Sequence, residues 1–346
     1  MATGMLGFVG FGVESSGGAS ASGAYSATVT ASGFMGFISE TLANQRNDVE
    51  SQLIQDQFDT TRMYTGLQTI GGQIVSEVHP IQAGLMLRAC FDQTTSTTSL
   101  GYIAMTSHTN VRAHRFIALN TQFHQGSGSD LPTLTIEVGR GPTTATGTSF
   151  IYYNCAGNTM EISVQAGQLA QMSVDFIGRE YARKAQSTPA FFTPEAFIWQ
   201  QASVSLGGAG RAIFESLTVR LNNNLEAYPA LDGRLRPNLI KRSNFRQIEV
   251  NGTVTFQSDS DYDLFIGGSE TGLRATFTGP AISTAPANNA QLDIQIPAFR
   301  YTSFPVNIGG PGRISVNFTG RGMWHPGSGT PLEIVLVNTR TQPYTV

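Results

Sequence analysis

Ser173-Val-Asp-Phe-Ile-Gly-Arg179 and Ser315-Val-Asn-Phe-Thr-Gly-Arg321 are near copies of one another. Each alternates polar and apolar residues, the period-two pattern of a half-buried antiparallel strand. Two further echoes lie upstream. Gly72-Gln-Ile-Val-Ser-Glu-Val78 returns as Gly252-Thr-Val-Thr-Phe-Gln-Ser258, and Leu87-Arg-Ala-Cys-Phe91 as Leu273-Arg-Ala-Thr-Phe277. The matches keep one order in each half, so the chain reads as a duplicated unit. Such a unit is commonly a surface used many times over.

Outward from these matches, Thr133–Val138, Met160–Val164, Leu169–Phe176 and Arg313–Phe318 alternate in the same way. One segment per copy breaks the period. Pro80–Cys90 and Asp259–Glu270 begin with Pro or Asp and predict a short helix after a strand. The expected fold class is mainly β: two tandem β-sandwich or barrel domains, each flanked by one short α-helix. Residues 1–33, rich in Gly, Ser, Ala and Thr, read as an extended N-terminal arm. The first domain then spans 34–180, a connector 181–195, and the second domain 196–346, with Leu332–Asn338 as a terminal strand. The spacing from the glycine match to the Leu-Arg-Ala match is six residues longer in the second half, but the spacing from there to the Ser-Val match is 44 residues shorter. This places an insertion in the first copy at about 92–131.

Composition supports a folded, sparsely charged subunit. Charged residues make up 13% of 346, well below the roughly 25% usual for soluble domains. Of 21 basic residues only Lys184 and Lys241 are lysine. Arginine is the cation suited to interfaces, while a GC-rich genome would give the same bias. Cys90 and Cys155 lack metal-site spacing and read as buried thiols. The first twelve residues lack the basic region of a signal peptide, and no apolar run approaches the ~20 residues that span a bilayer. Synthesis in the cytoplasm is expected.

Each copy carries a long polar stretch before its Gly-x-Ile/Val strand, at 43–66 and 222–245. Loops of this length are uncommon without a function. From Glu40 to Arg62 five acids face two arginines, whereas from Arg211 to Arg246 seven bases face three acids. Opposite signs fit two loops that drifted apart in solvent, or loops that meet unlike-charged surfaces of neighbouring subunits. The second reading makes Asp48, Glu50, Asp56, Asp59, Arg234, Arg236, Lys241 and Arg242 the candidate contact residues.

Motifs for chemistry are sparse. Asp259-Ser-Asp-Tyr-Asp263 with Glu270 mimics a calcium loop, but Leu264 stands where the sharp turn needs Gly, and the flank upstream reads as a strand. It is expected to be an acidic helix N-terminus. His108 and His114 have no zinc spacing, Gly207-Gly-Ala-Gly-Arg211 lacks the Lys of a phosphate loop, and no Gly-x-Ser-x-Gly elbow occurs. The expectation is a non-enzyme with no cofactor and no metal. A sequence pI near 6.0 argues against a dedicated nucleic-acid reader.

Phe37-Ile-Ser-Glu-Thr-Leu42 with its polar loop and Gly71-Gly-Gln-Ile74 resembles the tail tube (major tail) proteins of long-tailed bacteriophages. So do Ile151–Ile162 followed by Gly167 and Phe176-Ile-Gly178, and Ser216–Asn223 with Gly252-Thr-Val-Thr255. The resemblance runs from about residue 7 to 321. It implies a virion protein whose rings stack into a hollow tube that conducts DNA to the host, with the long loops reaching the adjacent ring. Rings of the family usually present six tube domains, so two per chain imply three chains and pseudo-sixfold symmetry. Implied partners are further copies of the chain, tape-measure and tail-terminator proteins, and DNA passing non-specifically. Implied locations are the virion tail and, during assembly, the host cytoplasm. Other readings left open are a β-rich fibre, capsid-decoration or carbohydrate-binding module, and a bacterial injection-system tube of the same fold.

Overall fold

The computed structural model describes residues 6–14, 29, 33–56, 58–103, 105–119, 132–141, 148–191, 195–284, 287–308 and 310–344. Most of the stretch read as an N-terminal arm, and Gly126–Asp130 of the insertion, lie outside them. In the first half the strands are Phe8–Val13 (β1), Phe34–Met35 (β2), Ser39–Glu40 (β3), Ala43–Arg46 (β4), Val49–Glu50 (β5), Met63–Tyr64 (β6) and Gln68–Glu77 (β7). Helix α1 (Ala83–Cys90) follows, then Gln93–Thr97 (β8), Arg112–Ile117 (β9), Leu134–Gly139 (β10), Thr148–Gln165 (β11), Gln171–Gly178 (β12) and Glu180–Ala185 (β13).

The second half contains Ala202–Leu206 (β14), Ala209–Gly210 (β15), Phe214–Asn222 (β16), Leu225–Tyr228 (β17), Leu239–Arg242 (β18) and Gln247–Thr255 (β19). After helix α2 (Ser260–Ile266) come Thr271–Thr284 (β20), Ala287–Ser303 (β21), Ser315–Met323 (β22) and Glu333–Asn338 (β23). The protein is mainly β, a sandwich of large antiparallel sheets with two short helices.

The same wiring occurs in both halves. β7 pairs with β12, β12 with β11, β11 with β10 and β13, and β10 with β1. Likewise β19 pairs with β22, β22 with β21, β21 with β20 and β23, and β20 with β14. Register agrees as well. Gly72 lies opposite Phe176, and Gly252 opposite Phe318. A Cβ on Gly72 would meet the backbone of Thr41 and Leu42 at 2.5–2.6 Å, and one on Gly252 the carbonyl of Ser216 at 2.4 Å. Close approach of a neighbouring strand therefore explains glycine at both positions.

One sequence match does not survive. Leu87–Phe91 lies largely in α1, whereas Leu273–Phe277 lies in β20. Four shared residues do not fix a conformation; their surroundings do. Leu85, Met86, Leu87, Ala89 and Cys90 are buried, and α1 rests on β11. In β20 the alternate residues Leu273, Ala275 and Phe277 face the core. By position after its strand, α2 is the counterpart of α1. The segment after α1 forms β8 and β9 before β10, while α2 leads directly to β20. β9 pairs with β23, so strands between the first helix and β10 extend a sheet of the second half.

The two halves share one core, which includes Phe11, Ile74, Phe176, Val219, Phe277 and Phe318. The seam is a strand pairing: the C-terminal part of β11 lies against β16 from Thr159↔Asn222 to Gln165↔Ser216. A central sheet thus runs β3/β4–β7–β12–β11–β16–β19–β22–β21.

Candidate assembly surfaces

One face of that sheet is apolar and the other polar, because side chains alternate along each strand. Ile70 and Ile74, Met172, Val174 and Phe176, Met160 and Ile162, Val219 and Leu221, Val250 and Val254, and Val316 and Phe318 turn into the core. Gln73, Ser173, Asp175, Glu161, Ser163, Thr218, Arg220, Asn251, Thr253, Asn317 and Thr319 occupy the other face. Its charges oppose one another in register: Glu161 faces Arg220, Arg220 faces Glu249, and Glu249 faces Arg321. Across-strand neighbours of opposite sign offset each other, so the face has little net positive field. Burial holds the Asp175 carboxyl above its ordinary range, with Arg220 opposing.

The direction of the strands sets what lies at each end. β7 and β19 run the same way, so the loops before them, 47–67 and 223–246, emerge at one end of the sheet. Each contains a short hairpin, β5–β6 and β17–β18, rather than unstructured chain. The loop tips are apolar and uncovered. Ile54 and Phe58 are 97% and 109% exposed, and Leu53, Met63, Leu231 and Phe245 also face solvent. Contiguous exposed apolar side chains mark contact sites.

Two apolar hollows open at the opposite end. One, of about 480 Å³, is lined by Val164, Trp199, Ala202, Val204, Phe214 and Leu217. The other, of about 400 Å³, is lined by Phe256, Tyr262, Phe265, Phe304 and Val306. The acids of the calcium-like motif lie beside the second, with Asp259, Asp263 and Glu270 exposed. As expected, the motif is an acidic helix start, with Asp261 and Asp263 in the first turn of α2, although Asp259 at the N-cap makes no side-chain cap bond. Asp261 turns inward 3.7 Å from Arg211, and its burial holds the carboxyl above the ordinary range. No cluster of three metal-type ligands occurs among the described residues.

The eight charged candidates fall into different roles. Arg46 binds Asp48 at 2.7 Å, within its own loop, and this hydrogen bond holds the Asp48 carboxyl below its ordinary range. Glu50 is exposed in β5, Asp56 has a left-handed backbone (φ 47°), and Asp59 is exposed. In the second loop Arg234 lies 3.8 Å from Asp232, and Lys241 faces Glu226 in the hairpin register. Arg236 pairs with Glu180, and Arg242 with Asp92 at 3.6 Å and with Asn223. Arg236 and Arg242 therefore tie the second loop to the first half of the chain.

Other residues in this clamp carry no motif. Arg179 donates to the Pro237 carbonyl at 3.1 Å, Gln68 N–H to the Leu235 carbonyl at 2.6 Å, and Asn223 to the carbonyls of Cys90 and Gly157. Arg246 binds Asp92, whose carboxyl is raised by burial against the pull of both arginines. The only sequence signal for the clamp is Arg179, which closes the repeated Ser-Val-x-Phe-x-Gly-Arg segment.

Cys90 and Cys155 are free thiols, pushed up by burial and unsuited to nucleophilic work. His114 is buried, accepts from Ser96 Oγ at 2.5 Å and donates through Nε2 to the Arg340 carbonyl at 3.0 Å, a core position. None of the described helices is long and apolar enough to cross a membrane.

Apolar loop tips at one end and apolar hollows at the other are the features of a structural subunit that joins to other proteins. No curated protein matches the chain. Residues 4–322 match the model of the phage tail tube protein family, nearly the whole chain, and the protein belongs to that family. It is a structural component of a bacteriophage tail, as the resemblance in the sequence implied.

Proposed function

We propose that this chain polymerises into stacked rings that form the hollow tail tube through which phage DNA passes to the host. The polar, charge-offset face of the central sheet carries the reading. Turned toward a bore, it presents hydroxyls, amides and self-neutralised charges, to which a polyanion gains few lasting contacts. Each chain supplies two tube units, as the repeated wiring suggests, so three chains complete a pseudo-sixfold ring. Closing the sheet into a barrel leaves no strand edge exposed.

Rings then stack head to tail, an arrangement that generates filaments. The apolar loop tips, with Asp48, Glu50, Asp56, Asp59, Arg234 and Lys241 around them, meet the hollowed end of the next ring. The basic second loop suits the acidic rim of Asp259, Asp263 and Glu270. Tape-measure and tail-terminator proteins are the expected further partners, with assembly in the host cytoplasm. Cryo-electron microscopy of the purified protein tests the reading. Hollow tubes with three chains per ring are expected; six whole chains per ring would refute the stoichiometry, and a persistently monomeric protein the function.

A further inference from the structure

The chain contains a worked example of how one unit joins the next. At the internal seam, seven residues of β11, Thr159 to Gln165, pair with β16. The strand equivalent to β16 in the first half is the broken strand β3–β4. Thr41 Oγ1 accepts from Gln73 N–H at 2.9 Å, as Ser216 Oγ accepts from Thr253 N–H at 3.1 Å. Leu42 and Leu217, the next residues, are both buried. Gln45 faces Thr69 and Arg220 faces Glu249, each three residues before the glycine of its repeat, so Gln45 is the counterpart of Arg220. Yet β3 and β4 pair only with β7, and their outer edge has no strand beside it among the described residues.

The complementary edge is at the other end of the sheet. β21 pairs with β22 as far as Ser303↔Thr319. Continued in the same register, Phe304 faces Phe318 and Asn307 faces Ser315. Ser315 is the counterpart of Ser173, whose partner is Glu161, so Asn307 is the counterpart of Glu161. Residues 304–308 already alternate, with Phe304 and Val306 packed on the core and Pro305 and Asn307 exposed, although they form no ladder. The loops repeat the asymmetry. Arg179 is 7% exposed beneath the second loop, while its counterpart Arg321 is exposed and the first loop leaves Leu53, Ile54 and Phe58 exposed.

We infer that Phe304–Ile308 of one copy adds as a strand to the free edge of Asn44–Asp48 in a second copy, in the register of the internal seam. Asn307 then lies opposite Gln45, and the first loop covers Arg321 of the neighbouring copy as the second loop covers Arg179 within the chain. The inference rests on the tube reading and names its lateral contact. Each chain carries one edge of each kind, so the contact is heterologous and closes a ring when the rotation allows.

Paired cysteines test it, because residues opposite each other in an antiparallel ladder fall within disulfide reach. The Gln45→Cys/Asn307→Cys protein, assembled and mildly oxidised, is run on a non-reducing gel, with each single variant as control. The Glu161→Cys/Arg220→Cys protein reports the internal seam and should bridge within one chain. Cys90 and Cys155 are buried and stay silent. The expected result is a ladder of linked chains that stops at trimer. Tubes visible by microscopy with the internal pair bridged, but no linkage between positions 45 and 307, would overturn the inference and leave the tube reading standing. Absence of any ring or tube would overturn both.

Discussion

Substituting Ile54→Ser together with Phe58→Ser separates assembly from folding. Both side chains are essentially uncovered in the single chain, so their removal leaves no cavity and breaks no packing. Surface changes of this kind stay within about 0.5 kcal/mol, and the urea midpoint of the unassembled subunit should not move. In the proposed tube the same side chains would be buried against another copy. Full burial of an isoleucine and a phenylalanine is worth about 1.5–3 kcal/mol each, so the pair contributes about 3–6 kcal/mol per contact. At about 1.4 kcal/mol per tenfold, association should weaken by a factor between about 10² and 10⁴. Sedimentation velocity across a concentration series, with negative-stain imaging of the pelleted fraction, reads this directly. Tubes that form at the wild-type concentration would refute the assignment of the first loop as a contact surface. A lowered urea midpoint would refute the premise that the tip is uncovered.

Three further outcomes are expected. Burial holds the His114 pKa at about 4 in the folded protein, against an ordinary 6.5, so the unfolded chain takes up a proton first as the pH falls. Stability should be complete above pH 6.5 and fall by about 3 kcal/mol toward pH 4, and chemical denaturation of His114→Gln should lose that component of the slope. Tyr344, fully buried over Gly84, packs its ring on His114 and Phe116 and donates to the Ile81 carbonyl. Tyr344→Ala should cost about 3–5 kcal/mol in urea denaturation, and Tyr344→Phe about 1 kcal/mol. The two loop arginines should divide by role: Arg236→Ala lowers subunit stability by about 1–3 kcal/mol through its pairing with Glu180, whereas Arg234→Glu leaves the melting temperature unchanged and slows tube growth.

Much of the fold could be read from the chain because period two is a local property. The alternations around Ser173 and Ser315 place β12 and β22, and the two breaks at Pro80 and Asp259 place α1 and α2. Where a match rested on composition alone it misled: Leu-Arg-Ala is helix in one half and strand in the other. The polar stretches before β7 and β19 were recognisable as special from their length and charge, but not which of their charges face outward. Arg236 and Arg242 are indistinguishable from Arg234 in sequence. They differ only because folding brings Glu180 and Asp92, 56 and 150 positions away, within reach of the first two.

By itself, then, the sequence determined strand and helix content, the duplication and the kinship to tail tube proteins, since each is written in short-range pattern. The tertiary structure decided which strand edges are spent inside the chain and which remain open. It also decided that one loop is clamped to the first half while its counterpart holds Ile54 and Phe58 out to solvent. Both are matters of which distant segments meet, and hydrogen-bond pairing between strands depends on partners that no local pattern names. The internal seam between β11 and β16 exists only in three dimensions, and from it follows the contact a second copy would make.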